Sequence, residues 1–252
     1  NVPRRVLSQT ADRGGNVTVH AYQLKPCNAI YSIDEKRLVD ADDTTYTWQY
    51  DYIGANGSFE GKTAPTHSSH STLTSYLPSG VHPRDLKTTQ VRHPDNSVVR
   101  HHITTKFGPY EGQEVLTEYF DKNGPLLKRV SQSYVESSRS NGKSWMQFDE
   151  SSDRQTLPRL TKIYQNSETY NTENFYDSND LKIKVKENNT LGKTRYTKYE
   201  YHAESSIKVF GLPKRTLVSA SDSNYKEVSQ TRYHTLASGY KALPKEQLSF
   251  GK

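Results

Sequence analysis

The sequence predicts an all-β fold, an antiparallel strip of repeated hairpins, on three observations. The first is a strand-turn-strand unit, Leu116-Thr-Glu-Tyr-Phe-Asp-Lys-Asn-Gly-Pro-Leu-Leu-Lys-Arg-Val130, variants of which recur along the chain. The second is that alternation with a period of two dominates over helical periodicity. The third is an aromatic composition: 18 Tyr, 7 Phe and 2 Trp supply packing area in a chain whose apolar fraction is only 32%. Mean hydropathy of −0.92 taken alone suggests disorder. Tyrosine corrects that inference, because its ring packs while its hydroxyl stays wet. The expected core is thin and aromatic.

Each element has its own justification. Val17-Thr-Val-His-Ala-Tyr22 alternates as a half-buried strand does, after a turn at Arg13-Gly-Gly-Asn16. Asp34-Glu-Lys-Arg-Leu-Val-Asp40 is the one stretch with helical character, enough for a turn or two. Thr47-Trp-Gln-Tyr-Asp-Tyr52 is an early copy of the repeat. A small, polar, glycine-punctuated segment over 54–71 predicts a long surface loop. Val91-Arg-His-Pro-Asp-Asn-Ser-Val-Val99 is the clearest hairpin: Pro94 presets the first turn position, and Asp95 or Asn96 tolerates the left-handed residue that follows. In 116–130, Thr117, Tyr119 and Phe120 favour a pleated surface and Asp121-Lys-Asn-Gly124 turns the chain. A second irregular stretch covers 137–154 and marks a soft boundary near residue 150. Beyond it come Leu160-Thr-Lys-Ile-Tyr164, the related unit Thr172-Glu-Asn-Phe-Tyr-Asp-Ser-Asn-Asp-Leu-Lys-Ile-Lys-Val185, and weaker copies at Thr197–Tyr201 and Gln230–His234. The same hairpin type on both sides of 137–154 predicts one continuous sheet region over 1–252.

A second phrase recurs: Leu157-Pro-Arg, Leu212-Pro-Lys and Leu243-Pro-Lys each precede a strand pattern. Proline as the first residue of a strand costs no ladder hydrogen bond, so Pro158, Pro213 and Pro244 are expected to mark strand starts. Their unequal intervals suit hairpins with variable loops better than the uniform blades of a propeller.

These phrases resemble the YD-repeat (Rhs) proteins of bacteria. The family's unit centres on a tyrosine with an aspartate adjacent or two residues on, then Asn or Gly and a returning strand. Tyr119-Phe-Asp121 with Asn123-Gly124 matches it well, and Tyr176-Asp177 with Asn179 in part. Tyr50-Asp51 reaches its glycine, Gly54, later than the pattern, and at Tyr201 and Tyr233 a histidine replaces the aspartate. The resemblance covers most of 1–252. It implies a curved or spiralling sheet forming part of a shell around a C-terminal toxin or other cargo, in a secreted, surface-exposed or contact-delivered protein. Chemistry in that family resides in the enclosed domain, and the self-cleaving core motif is not visible here. The partners implied are the rest of the shell and its cargo. The repeat itself predicts tyrosines packing on rings of neighbouring hairpins and aspartates accepting backbone N–H bonds in turns.

Composition bounds the alternatives. One cysteine, Cys27, excludes an internal disulfide and a cysteine-only metal site. Met146 is the only methionine, Asn1-Val-Pro-Arg-Arg5 lacks a signal-peptide layout, and no run approaches membrane-spanning length; a segment of a longer protein is expected. The net charge of +6 is spread over alternating strands such as Leu181-Lys-Ile-Lys-Val-Lys186, as half-solvated strands require, so no specific nucleic-acid partner is expected. His67-Ser-Ser-His70 has metal-ligand spacing without a nearby acid, and His101-His102 on a strand should point to opposite faces. No nucleophile elbow, phosphate loop or dinucleotide fingerprint appears, Asp42-Asp43 and Asp149-Glu150 read as solvated turns, and no cofactor is implied. In the unit at 116–130, Glu118, Tyr119, Asp121 and Lys122 lie close together and read as architecture once its copies are seen. Two other functions stay open. One is a polysaccharide lyase using Tyr, His and Arg or Lys against an acidic glycan. The other is an adhesion module that holds glycans or a cell surface by stacking on an aromatic, basic sheet.

Overall fold

The computed structural model describes residues 9–25, 30–54, 68–105, 110–137, 156–202, 211–234 and 243–250. They form fifteen strands: β1 Gln9–Ala11, β2 Val17–Lys25, β3 Ile30–Val39, β4 Thr45–Gly54, β5 Leu86–Arg92, β6 Val98–Thr104, β7 Glu114–Phe120, β8 Leu126–Glu136, β9 Thr156–Gln165, β10 Glu168–Tyr176, β11 Lys182–Asn189, β12 Thr194–Tyr201, β13 Pro213–Ser219, β14 Lys226–Tyr233 and β15 Pro244–Ser249. The strands are antiparallel and stand in one sheet in strict sequence order from β1 to β15. The all-β hairpin strip expected from the sequence is what forms. Beside the strands, the described residues hold two 3-10 segments, Ser68–Tyr76 and Pro83–Asp85, in the connection from β4 to β5.

The turns show why the order is so regular. Asp12, Asp40, His93, Asp121, Asp177 and Asn189 each open the same four-residue reversal. In each, the first residue's N–H bonds to the carbonyl four residues on, and its own carbonyl accepts an N–H from three residues on. The residue at that third step is left-handed: Gly15, Asp43, Asn96, Gly124, Asp180 and Gly192, with φ of 87°, 60°, 66°, 93°, 62° and 76°. This is a type I turn closed by one left-handed residue, a geometry whose twist suits a hairpin. The opening side chain often reinforces it. Asp12 Oδ1 accepts from Gly14 N and Asn16 N, Asp40 Oδ1 from Asp42 N and Thr44 N, and Asp177 Oδ1 from Asn179 N and Leu181 N, at 2.8–3.0 Å. The turn at 93–97 forms as its sequence predicts, with Asn96 left-handed. Between β9 and β10 the reversal needs two residues only, Asn166 and Ser167, both at positive φ.

Two expectations are corrected. Asp34–Val39, read as a turn or two of helix, belongs to β3. Pairing on both sides decides it: Lys36 lies opposite His20 on β2 and Trp48 on β4, with its ammonium 4.8 Å from the indole centre. Ladder bonds on two edges outweigh a short local preference. Pro213 and Pro244 do stand first in β13 and β15, but Pro158 is the third residue of β9. Its carbonyl there accepts from Asn174 Nδ2 and Tyr176 Oη at 3.1 and 2.8 Å. Cys27, His67, Met146 and Asp149-Glu150 lie outside the described residues, as do most of 54–71 and 137–154.

The chain divides into two compact units, Asn1–Gln132 and Ser133–Lys252. In the first, the core gathers on β5–β8 and the 3-10 segment at 68–76: Leu73, Leu86, Val115 and Leu116 are at most 4% exposed. Polar side chains share that burial, namely Thr88, His102, Thr104 and Glu118. In the second, Val185 is the buried aliphatic among the described residues, at 8% exposure, accompanied by Asn174, Thr197 and Ser137. The core expected from composition to be thin and aromatic is thin, but among the described residues its buried apolar side chains are aliphatic and the rest of it is polar.

Candidate functional site

The register places the predicted repeat residues in rows across the strands. Tyr50, Val91, Val99, Tyr119 and Lys128 are successive cross-strand neighbours from β4 to β8, so the repeat tyrosines of two hairpins share one row. Burial raises the Tyr50 hydroxyl's pKa. Among the described residues Tyr119 meets no other ring; Lys128, directly opposite, sits 4.3 Å from its centre. The same direct pairing joins Lys36 to Trp48, Lys184 to Phe175 and Lys186 to Tyr196. The ring-on-ring packing expected of the repeat is thus largely replaced by cation-on-ring pairs, which let a half-exposed sheet bury aromatic area under a lysine stem while its charge stays in water. A ring contact does form between Tyr233 and His202, edge to face at 5.1 Å.

A second device recurs at strand ends. Tyr52, near the end of β4, and Tyr176 and Tyr201, closing β10 and β12, each donate their hydroxyl at 2.8 Å to a backbone carbonyl of the preceding strand, of Ile33, Pro158 and Lys182. Burial first holds all three hydroxyls above the ordinary tyrosine range, aided by neighbouring charge at Tyr52 and Tyr201 and opposed by Arg159 at Tyr176. Tyr176 and Tyr201 come from the predicted repeat set. Tyr52 was missed in favour of Tyr50, because both flank the same aspartate and, two residues apart, share one strand face; what separates them is which reaches the Ile33 carbonyl. Asp51 accepts from Gln90 Nε2 at 3.2 Å, Asp121 and Gly124 form the β7–β8 turn through their backbones, and Asn123 is exposed within it.

The densest chemistry lies on one face of β4–β8. Asp51, Gln90, Arg100, Glu118 and Arg129 are successive register neighbours. Gln90 Nε2 donates to Asp51, Arg100 Nε donates to Gln90 Oε1 at 2.9 Å, and Arg129 Nε donates to Glu118 Oε1 at 2.8 Å. The next row brings Thr88 opposite His102. Thr88 Oγ1 lies 2.8 Å from His102 Nδ1, and His102 Nε2 lies 3.1 Å from Glu118 Oε2. Arg129 stacks on Tyr76 of the 3-10 segment at 4.1 Å. Burial pushes the Glu118 carboxyl up, but hydrogen bonds and charge from His102 and Arg129 outweigh it and hold it below the usual glutamate value. On the opposite face, His101 pairs with Glu114 at 2.8 Å, and that bond, against burial, lowers Glu114. His101 and His102 therefore diverge as strand alternation requires, and Glu118 and Tyr119, neighbours in sequence, stand on opposite faces.

A hydroxyl, an imidazole and a carboxylate in line are the parts of a nucleophilic hydrolase. Here the hydroxyl has no way to meet a substrate: Thr88 and His102 are each 2% exposed. The chain holds a buried carboxylate in place beneath the 3-10 segment. Toward the β5–β6 and β7–β8 turns the same face opens into a cavity of about 250 Å³ lined by Gln90, Arg92, Val98, Arg100, Phe120 and Lys122 among others.

Among the described residues no group of three or more His, Cys, Asp or Glu is placed to hold a metal ion, and no helix is long and apolar enough to cross a membrane. Compared with models of known families and with curated proteins, the chain matches none.

Proposed function

We propose that this chain is a non-enzymatic structural scaffold: a segment of a YD-repeat wall that, with neighbouring sequence, encloses a C-terminal toxin or other cargo in a secreted or cell-surface bacterial protein. The observation that carries this reading is the strict sequence order of fifteen strands, six of whose connections use one repeated turn. An array in which each hairpin pairs only with its neighbours extends by repetition, and one hairpin alone buries too little to stand. The side chains of the repeat are engaged in holding that array: aspartates close turns, tyrosine hydroxyls tie strand ends, and lysines cover rings.

Limited proteolysis of the parent protein tests it. The region downstream of this chain should resist protease in the intact protein and be digested quickly once separated from it. Equal digestion rates in the two forms overturn the enclosure reading.

A further inference from the structure

We propose that the cavity beside the β5–β6 and β7–β8 turns binds an acidic saccharide through the carboxylate of a single sugar ring. Three cations line it, Arg92, Arg100 and Lys122. Several other cations of this sheet meet carboxylates: Arg129 with Glu118 at 2.8 Å, Arg159 with Glu173 at 2.8 Å, Arg215 with Glu200 at 2.6 Å and Lys184 with Asp222 at 2.7 Å. Arg92, Arg100 and Lys122 have no such partner among the described residues. Asp121 also lines the cavity, and no ion pair joins it to these cations. Three like charges facing one concavity repel one another, and an anion relieves that repulsion.

Arg100 is already oriented for the task. Its Nε is committed to Gln90 at 2.9 Å, Gln90 is in turn held by Asp51 at 3.2 Å, and the guanidinium lies 4.6 Å from the centre of the Phe120 ring. Its two terminal amino groups make no hydrogen bond among the described residues. That edge is the planar fork that takes a carboxylate with two parallel bonds, and fixing it beforehand reduces the entropy lost on binding. Phe120 is free to line the cavity because of what it lacks. In the sister turn Tyr176 precedes Asp177 and ties its hydroxyl to β9, whereas Phe120 precedes Asp121 with no hydroxyl to give.

The remaining lining selects the class of anion. Gln90 and Asn96 offer neutral amides that suit sugar hydroxyls, and Phe120 and Val98 offer apolar surface that suits a ring's C–H face. A bare phosphate would use the cations alone. A volume of about 250 Å³ falls below that of pockets for drug-sized ligands and suits one ring of a chain that continues into solvent. This inference does not rest on the scaffold proposal, since a wall with a sugar-binding face and an independent sugar-binding sheet would both carry it.

The test is titration of the intact chain, by calorimetry or ligand-observed NMR, with galacturonate trimers, neutral galactose trimers and inorganic phosphate. Galacturonate should bind with a Kd of about 1 mM, weakening as salt rises. Arg100→Gln should weaken it about tenfold, and Arg100→Lys should recover only part of that, since an ammonium keeps the charge but not the fork. Arg92→Gln and Lys122→Gln, on exposed positions that leave the fold intact, should each weaken binding about threefold, so the proposal stays testable if Arg100 variants misfold. No binding of galacturonate, or wild-type affinity in all these variants, overturns the site. Equal binding of the neutral trimer or of inorganic phosphate overturns the assignment to an acidic sugar.

Discussion

At Glu118 two opposed effects meet, and their balance sets a measurable acid response. Burial disfavours its charge, while His102 and Arg129 favour it more strongly. The result, like that for Glu114 beside His101, is a folded pKa below the ordinary value of 4.5. A carboxylate lowered in the folded state contributes stability that is complete above its unfolded pKa and lost as pH falls through its folded one. Urea midpoints of the first unit should therefore drop as pH falls below about 4.5, and Glu118→Gln should flatten that decline. Glu118→Ala should cost about 3 kcal/mol at neutral pH, because it strands the imidazole and guanidinium beneath the 3-10 segment. Thr88→Val, which removes one hydrogen bond to His102, should cost about 1 kcal/mol. A Glu118→Ala loss no larger than the Thr88→Val loss would show that the ion pair does not hold this core.

Within a hairpin, what decides stability is the turn and the tie at the strand end. Ser167 follows Asn166 in a two-residue reversal with φ of 51° and 63°, a conformation that Asn-Gly adopts without strain. Ser167→Gly should accordingly stabilise the chain by roughly 0.5–1 kcal/mol, read as a higher denaturant midpoint with unchanged slope. Tyr176→Phe keeps the ring and removes the bond to the Pro158 carbonyl, so it should cost about 1 kcal/mol. The same change at Tyr119, whose contact is between Lys128 and the ring itself, should be nearly neutral. Equal losses at the two tyrosines would mean that ring burial, not the hydroxyl tie, carries the repeat.

Across the whole molecule, each strand pairs only with those adjacent in sequence, so cooperativity is expected to be local. Burial is uneven along the array: β5–β8 hold Leu86, Val115 and Leu116 at 1% exposure or less, whereas β13–β15 contain no fully buried residue. Hydrogen exchange should thus show its slowest amides in β5–β8 and its fastest strand amides in β13–β15. Uniform protection along all fifteen strands would indicate a single cooperative unit instead.

Much of this was legible in the sequence. Period-two alternation, Asp–Asn–Gly turns and the abundance of tyrosine fix the strand type and the hairpin order, because turn chemistry and strand parity are local properties. The turn at 93–97 and the divergence of His101 from His102 follow from those rules alone. What the sequence left undecided depends on register. That β3 runs through Asp34–Val39 required partners on both edges. That Tyr52 rather than Tyr50 ties the strand end, that Lys128 covers Tyr119, and that Thr88, His102, Glu118 and Arg129 converge from four strands all follow from which residues lie opposite one another. A one-residue slip would send each to the other face. Local chemistry determined that the chain forms repeated hairpins; only cross-strand alignment decided which of its charges are buried in pairs and which face an open cavity.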